Sequence, residues 1–328
     1  MNRRKLVFTK PYTVDVVTED FSADPEADEI ATETQYSLIS PGTELMSTKD
    51  RDPAEFPTVH GYASVERVID TGGEVEGLHI DDLVFSTRHH ASHHCYVPAE
   101  ARVVRVDVDV PTEHVPFARM AGVSIPSLQT TQIRPPAVGA VFGLGLVGNF
   151  AAQQAEIMGY DPIAFDPLAQ RREWATACGI ADVYPTPDDW PDDDREAPLF
   201  ALECSGTQAG LLGGLEIVDT GGEVTQIGAA WEQTDPDLSA FDVQERIFFD
   251  YLTLRTGWEW QITQSPTRDR QQSYEGNFRW AIKRIAEEAI EVEPVHTHTF
   301  VPEEVQAGYD GLAEAPESYL GVLIDWAA

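Results

Sequence analysis

The sequence predicts an α/β protein of two parts, a β-rich unit forming a compact barrel followed by a doubly wound parallel sheet with helices on both faces. Three observations carry the prediction. Up to about Val110 the chain reads as short alternating runs broken by Gly and Pro, the rhythm of antiparallel strands. After a Pro-rich stretch, "IRPPAVG", apolar runs alternate with amphipathic segments, which is how buried parallel strands and their covering helices read. At 328 residues the chain is also long enough for two domains, each with its own core.

In the first part the predicted strands are "LVFT", "YTVDVVTE", "TETQYSLIS", "YASVERVIDTGG", "DLVFST", "HHCYVPA" and "ARVVRV". "PFARMAGVSIPSLQTT" predicts a helix leading into the boundary. Beyond it the predicted order is strand "GAVFGLG", helix "LVGNFAAQQAEIMG", strand "DPIAFDP", helix "AQRREWATACG", strands "ADVYP" and "PLFALECSG", helix "AGLLGGLEIVDTGG" and strand "EVTQIG". "DYLTLRTGWEW" supplies a sixth strand and "YEGNFRWAIKRIAEEAIE" a helix, and the tail reads as strand, short helix, strand. The acidic stretch "TPDDWPDDDREAP" reads as a surface loop.

Between the first apolar strand and its helix, Gly143, Gly145 and Gly148 have the G-x-G-x-x-G spacing. The first glycine permits the tight turn, the second lets a pyrophosphate approach the backbone, and the third lets helix and strand close together. Leu146, Val147 and Gly148 then open the helix whose N-terminus would receive the phosphates. The next strand ends at Asp166, where a carboxylate binds ribose hydroxyls and repels a 2′-phosphate. The expected cofactor is therefore NAD, with NADP as the alternative if Arg171 or Arg172 offsets that charge; a helix-surface role is the simpler reading of both arginines.

Composition restricts the partners. A net charge of −34 with acids spread along the chain, among them Asp107, Asp109, Asp188, Asp189, Asp192, Asp193, Asp194, Glu287 and Glu288, reads as a solvated acidic coat suited to a salt-rich, halophilic cytoplasm. Nucleic acid and anionic membrane are disfavoured partners, because phosphate contact needs a basic face. Cys95, Cys178 and Cys204 are few, distant and odd in number, so no disulfide framework is implied. No run approaches the length of a membrane span and no signal-type apolar core follows the N-terminus, so a cytoplasmic protein acting on a small molecule is expected.

The order of β-rich unit, Pro-rich crossover, "GLGLVG", "FDP", "ECSG", "GGEVTQIG" and the returning "FVPEEVQAGYDGLAEAPESYLGVLIDW" resembles the medium-chain dehydrogenase/reductase superfamily across nearly the whole chain. "SPGTE" and "GYASV" are most similar to its zinc-independent branch that includes bacteriochlorophyllide dehydrogenase-like proteins. The resemblance implies a GroES-like catalytic domain built from residues 1–134 and 291–328, a Rossmann domain at 135–290, an active site in the cleft and a homodimer. It also implies that Cys204, Ser205 and Gly206 of "ECSG", and Gly228 at the end of "VTQIG", flank the cofactor.

Zinc relatives place metal ligands at positions that here read Pro41, Tyr62 and Ala121. Proline and alanine carry no ligand atom and a phenol is a poor zinc ligand, so neither a catalytic nor a structural zinc is expected. Hydride transfer to a carbonyl still builds charge on oxygen, and side chains must then supply the donors. Thr43 keeps the hydroxyl of the family's proton relay, Tyr62 offers a phenol, His60 a general acid, and Glu44 a group that positions a hydroxyl or binds substrate. Each has a plainer reading: a turn cap for Thr43, a helix cap for Glu44, filled space for Tyr62, exposure for His60. The cluster His89, His90, His93, His94 and Cys95 reads as solvated or interface histidines, with a metal site as the rival; His296 and His298 read as core or edge residues of a strand. A nucleophilic Cys204 lacks a partner base in the sequence. The expectation is an NAD(P)(H)-dependent oxidoreductase without zinc, acting on an alcohol/ketone pair or an activated alkene. The alternative is a catalytically silent dinucleotide-binding sensor or structural subunit.

Overall fold

The structure, a computed structural model, describes residues 1–49, 55–191, 196–270 and 272–328. The chain forms two compact units, one of Met1–Arg119, Glu275–Glu287 and His296–Ala328, the other of Met120–Tyr274 and Glu288–Val295. These divisions fall at 119/120, 274/275, 287/288 and 295/296, where the sequence suggested 134/135 and 290/291. The helix before the Pro-rich stretch accounts for the first difference: most of it packs with the second unit.

The first unit is β-rich. A hairpin of β1 (Asn2–Lys10) and β2 (Thr13–Asp20) precedes β3 (Ile30–Leu38), two one-turn helices α1 (Pro41–Glu44) and α2 (Met46–Lys49), then β4 (Ser64–Thr71), β5 (Leu83–Ser86), β6 (His93–Tyr96) and β7 (Val104–Arg105). Helix α3 (Ala118–Thr130) leads into the second unit. That unit alternates β8 (Val138–Phe142), α4 (Leu146–Ile157), β9 (Asp161–Phe165), α5 (Ala169–Ala177), β10 (Asp182–Tyr184), β11 (Phe200–Glu203), α6 (Gln208–Ile217), β12 (Glu223–Gln226), α7 (Ala240–Phe249) and β13 (Thr253–Thr256). Helix α8 (Tyr274–Ala286), β14 (His296–Phe300), α9 (Val305–Glu314) and β15 (Gly321–Asp325) complete the chain.

The three helices absent from the sequence reading have local causes. Helices α1 and α2 are single turns, too short to show a period. Helix α7 carries Phe241, Phe248 and Phe249 at the surface, 64%, 77% and 75% exposed, which masks the half-buried stripe of Val243 and Ile247 that packs on the core. Its N-terminus was legible: Ser239 and Asp242 form a capping box. Of the acidic loop, 192–195 lie outside the described residues.

In the first unit the sheet order is β14-β15-β3-β4-β5-β7, with β6 paired to β3. Strands β14 and β15 run parallel and β15 pairs antiparallel with β3, so the C-terminal tail closes onto the N-terminal strands. Its core joins Leu6, Phe8, Ile39 and Leu45 to Val305, Tyr309, Ile324 and Trp326. Burying aliphatic or aromatic side chains of this size stabilises by roughly 1.5–3 kcal/mol each, which holds the tail against residues almost 300 positions earlier.

In the second unit all strand pairs are parallel, in the order β10-β9-β8-β11-β12-β13. The first strand is central and the order reverses between β8 and β11. In such sheets ligands bind beyond the carboxyl ends of the strands at this switch point. The segments that occupy it are Gly143–Gly145 after β8 and Cys204–Gly206 after β11.

Candidate functional site

The second unit builds its part from backbone. Gly143 takes a left-handed turn (φ 85°) off β8. A Cβ on Gly148 would lie 1.7 Å from the Gly143 carbonyl oxygen, so only glycine lets α4 start there. A Cβ on Gly145 would meet nothing within 4 Å, which leaves open space beside the turn. Gly145 is the N-cap of α4 and no side chain caps it, so the first-turn amides at Leu146, Val147 and Gly148 are available to an anion.

Asp166, 2% exposed, follows β9 directly and accepts from Leu144 N (2.7 Å) and Leu168 N (2.8 Å). It therefore fixes the glycine turn itself. Arg171 Nη1 lies 3.7 Å from Asp166 Oδ2, and Arg172 Nη1 donates to the Asp166 carbonyl at 2.7 Å. Both arginines lie half-exposed on α5 and reach back to the segment after β9, where Arg171 sets a positive charge against the acid.

On the other side of the switch point, Glu203 is wholly buried and accepts from Ser205 N (2.7 Å), Gly206 N (2.9 Å) and the Ser205 hydroxyl. Burial pushes its carboxyl up, while those bonds pull it down. Gly206 and Gly228 meet backbone to backbone, since a Cβ on Gly228 would lie 2.2 Å from Gly206 N. Burial, with the neighbouring Glu203 charge, pushes the Cys204 thiol well above its ordinary range, so it is no thiolate nucleophile. Sequence reasoning missed Glu203, although the carboxylate stands first in "ECSG".

In the first unit the residues around α1 form a layered polar site. Ser40 is the N-cap of α1, yet its hydroxyl makes no cap bond. It bonds instead to the Tyr62 phenol, which also meets Thr43 Oγ1 at 3.0 Å. A phenol has one proton, so Tyr62 donates to one hydroxyl and accepts from the other. Thr43 is exposed and Tyr62 half-buried, so this trio of hydroxyls reaches solvent. The Arg119 guanidinium lies over the Tyr62 ring, 4.5 Å from its centroid. Burial raises the Tyr62 phenol above its ordinary value of 10, with Arg119 acting in the opposite direction.

Beneath this layer Glu44 is 0% exposed and fully engaged. Oε1 accepts from Ser40 N (2.8 Å); Oε2 accepts from Tyr309 OH (2.6 Å) and meets His90 Nε2 at 3.0 Å. His90 Nδ1 is 2.8 Å from Ser37 Oγ, which accepts from Trp326 Nε1 at 2.8 Å. Burial pushes the Glu44 carboxyl up, but the charge and hydrogen bond of His90, with the bonds from Tyr309 and Ser40, hold it below the usual carboxylate range. A carboxylate with no exposed surface cannot bind substrate; what Glu44 positions is Ser40, and through Ser40 the Tyr62 phenol. His60, expected as a general acid, turns its ring edge-on to Phe8, centroids 5.0 Å apart. Gly61 after it has φ 107°, and a Cβ there would lie 2.6 Å from the His90 backbone nitrogen, so glycine lets this segment approach His90.

Within the cluster His90 and His94 are core residues, which corrects the solvated reading for those two, while His89 and His93 stay partly exposed. His90 and His94 are 0% exposed, and the His89 and His94 rings pack edge to face at 4.9 Å. Burial, reinforced by nearby positive charge, brings His89 down to about 3 and His94 well below its ordinary range, so both are neutral. His298 stacks on Tyr319 at 3.8 Å.

The donor set does not fit a zinc ion. Pro41 has no ligand atom and the Tyr62 phenol is committed to two hydroxyls. The nearby ligand-type groups, Glu44 and His90, are bonded to each other in the core. None of these belongs to a convergence of three ligand groups among the described residues. The glycine turn, the uncapped α4 and Asp166 do fit a dinucleotide.

Residues 147–264 match the family model described as zinc-binding dehydrogenase. An uncharacterized zinc-type alcohol dehydrogenase-like protein of Haemophilus influenzae is 23% identical over 318 residues, covering 86% of this chain and 87% of that protein. Galactitol-1-phosphate dehydrogenase of Escherichia coli has the same fold, with TM-score 0.79 at 16% identity over 98% of this chain and 99% of that one. So does a short chain alcohol dehydrogenase from Escherichia coli CFT073 complexed with cofactor NADH, with TM-score 0.76 at 12% identity over 99% of each chain. The α/β fold is that of alcohol dehydrogenase structures, a parallel-sheet unit with a separate β-rich unit.

Proposed function

We propose that the chain is an oxidoreductase of the zinc-binding dehydrogenase family that works without zinc, moving a hydride between NAD(P)(H) and a small-molecule alcohol/ketone pair or activated alkene. The family match over 147–264 and the shared fold support the class. The observation that carries the zinc-free chemistry is the Tyr62 phenol, set between Ser40 and Thr43 at a position where zinc relatives carry a ligand.

Leu146, Val147 and Gly148 receive the pyrophosphate on their amides, Asp166 holds that turn through the Leu144 amide at the end where the adenosine ribose lies, and Arg171 beside it makes NADP an acceptable alternative to NAD. Ser205, Gly206 and Gly228 line the nicotinamide side. When bound, the nicotinamide supplies or accepts the hydride. Tyr62 donates a hydrogen bond, then its proton, to the oxygen on which charge develops, and Thr43 links that phenol to solvent. A phenol raised above 10 is fully protonated at neutral pH, which suits a proton donor in the reducing direction.

The test is binding of NADH and NADPH by fluorescence, followed by turnover of a carbonyl and enone panel at high salt with a strong chelator present. Turnover that survives chelation and drops by roughly 10²–10⁴ in Tyr62→Phe is the expected result. Activity that chelation abolishes and zinc restores would overturn the zinc-free reading. Cofactor binding with no turnover across the panel would favour a sensor or structural subunit.

A further inference from the structure

The acid assigned to Tyr62 leaves a charge problem. In carbonyl reduction the substrate carbon takes a hydride with its electron pair from the reduced nicotinamide, the C=O π pair becomes a new O–H bond with the Tyr62 proton, and Tyr62 is left as phenolate. A proton returns to it from water by way of the exposed Thr43 hydroxyl. Until then a negative charge sits on a ring whose burial disfavours it.

We propose that Arg119 is the positioning residue that resolves this: its buried guanidinium, set over the face of the Tyr62 ring, fixes the phenol's direction and stabilises the phenolate left by proton donation. The proposal rests on the reading of Tyr62 as the proton donor. The geometry is specific. Arg119 is 3% exposed at the start of α3, which is rare for arginine, with its guanidinium carbon 4.5 Å from the Tyr62 centroid and 5.8 Å from that of Phe278 on α8. Phe278 in turn packs on Phe85 of β5 at 4.9 Å, so the cation is clamped between an aromatic wall and the reacting ring. Edge-bound hydroxyls at Ser40 and Thr43 then set the phenol oxygen, while Arg119 sets the ring face.

The charged groups acting on Tyr62 are few. Arg119 favours the phenolate and Glu44 of α1 opposes it, but the Glu44 charge is already met by His90 and the Tyr309 hydroxyl. A buried cation over the face of an aromatic ring is a strong interaction of its kind, and it strengthens when the ring gains a negative charge. Arg119 thus acts through Tyr62 and touches neither substrate nor cofactor in this scheme.

The experiment replaces Tyr62 with 3,5-difluorotyrosine, whose phenol titrates nearer neutrality, and follows its ¹⁹F shift against pH in the full chain. In Arg119→Met the apparent pKa of residue 62 is expected to rise by about one pH unit or more, as loss of a desolvated cation–π contact implies. Arg119→Lys, which keeps a charge, should recover at least half of that rise. A change below about 0.3 unit in Arg119→Met, with near-ultraviolet circular dichroism intact, overturns the proposal. So does an equal rise in the lysine variant, which would make the effect one of packing. Arg119→Gln takes the place of the methionine variant if the latter does not fold. The titration reads the pair whether or not the protein turns over, so its failure removes the role of Arg119 alone. Failure of the substrate panel removes the oxidoreductase reading alone.

Discussion

The sharpest stability prediction concerns Glu44, because every atom of its carboxylate is accounted for. Glu44→Ala deletes the acceptor of three donors at once: Ser40 N, His90 Nε2 and Tyr309 OH, none of them exposed beyond 6%. Each buried donor left unmade costs about 1–3 kcal/mol, and all three donors here share one carboxylate. These overlap, so the expected loss is about 3–5 kcal/mol, on the order of 10 °C in the melting of the β-rich unit. Glu44→Gln keeps one acceptor oxygen and should lose roughly half as much. The sign of the pH dependence follows from the lowered carboxyl. Its contribution is fully present above the ordinary value of 4.5 and is lost as pH falls through the depressed folded value, so wild type and Glu44→Gln should converge in acid. Urea melts followed by circular dichroism across that range are the assay. A Glu44→Ala protein within about 1 kcal/mol of wild type, or a gap that fails to close in acid, would refute the description of this network as a tightly engaged buried anion.

Three further outcomes follow from the same geometry. Gly145→Asp should fold normally, since its Cβ meets open space, yet weaken NADH binding by roughly 100-fold or more by setting a carboxylate where the pyrophosphate belongs; unchanged binding by fluorescence titration would remove the nucleotide from this turn. With a net charge of −34 the protein should melt at higher temperature in about 2 M than in about 0.1 M potassium chloride, because the screening length falls from roughly 10 Å to a few ångströms; a flat salt response would argue against the halophilic reading. The rate of carbonyl reduction should be insensitive to Tyr62 ionisation through neutral pH and decline only when pH passes above 10, where the raised phenol loses its proton; a Tyr62-dependent decline near neutrality would contradict its role as acid.

The parallel sheet was legible because buried strands and covering helices write different periods into the chain, and because three glycines at fixed spacing have one physical use. Legibility ended where a contact joins distant residues. The cap reading of Glu44 caught its bond to the Ser40 amide, but nothing in "SPGTEL" announces Tyr309, 265 positions later. His90 and His94 looked solvated because a run of four histidines within six positions is polar by composition, while β6 pairing to β3 buries His94 completely. Arg119 carried no local signal at all: an arginine at the head of an apolar helix reads as an exposed end until Tyr62 and Phe278 are brought around it. Ser40 and Glu203 were within reach of the sequence, the first as a residue before a helix-starting proline and the second as the carboxylate opening a loop of small residues.

Under the proposed zinc-free reading, those long-range contacts also explain how the Tyr62 hydroxyl is held in place without a metal. A metal holds its ligands in place by strong bonds to each, and a phenol hydrogen-bonded to two serine-type hydroxyls has no such anchor of its own. Here the anchor lies one layer down. Glu44 grips the Ser40 amide, His90 and Tyr309 grip Glu44, and Ser37 with Trp326 grips His90, so the C-terminal strand β15 region and helix α9 brace a loop near the N-terminus. The brace is made of groups that cannot themselves reach a substrate. Removing Glu44 should therefore disturb Tyr62 through Ser40 as well as destabilise the unit, and a Glu44→Gln protein that remains folded should titrate differently at residue 62 from one in which only Thr43 is changed to valine. If the two behave alike, the phenol is held by its surface partners alone and the buried layer serves stability only.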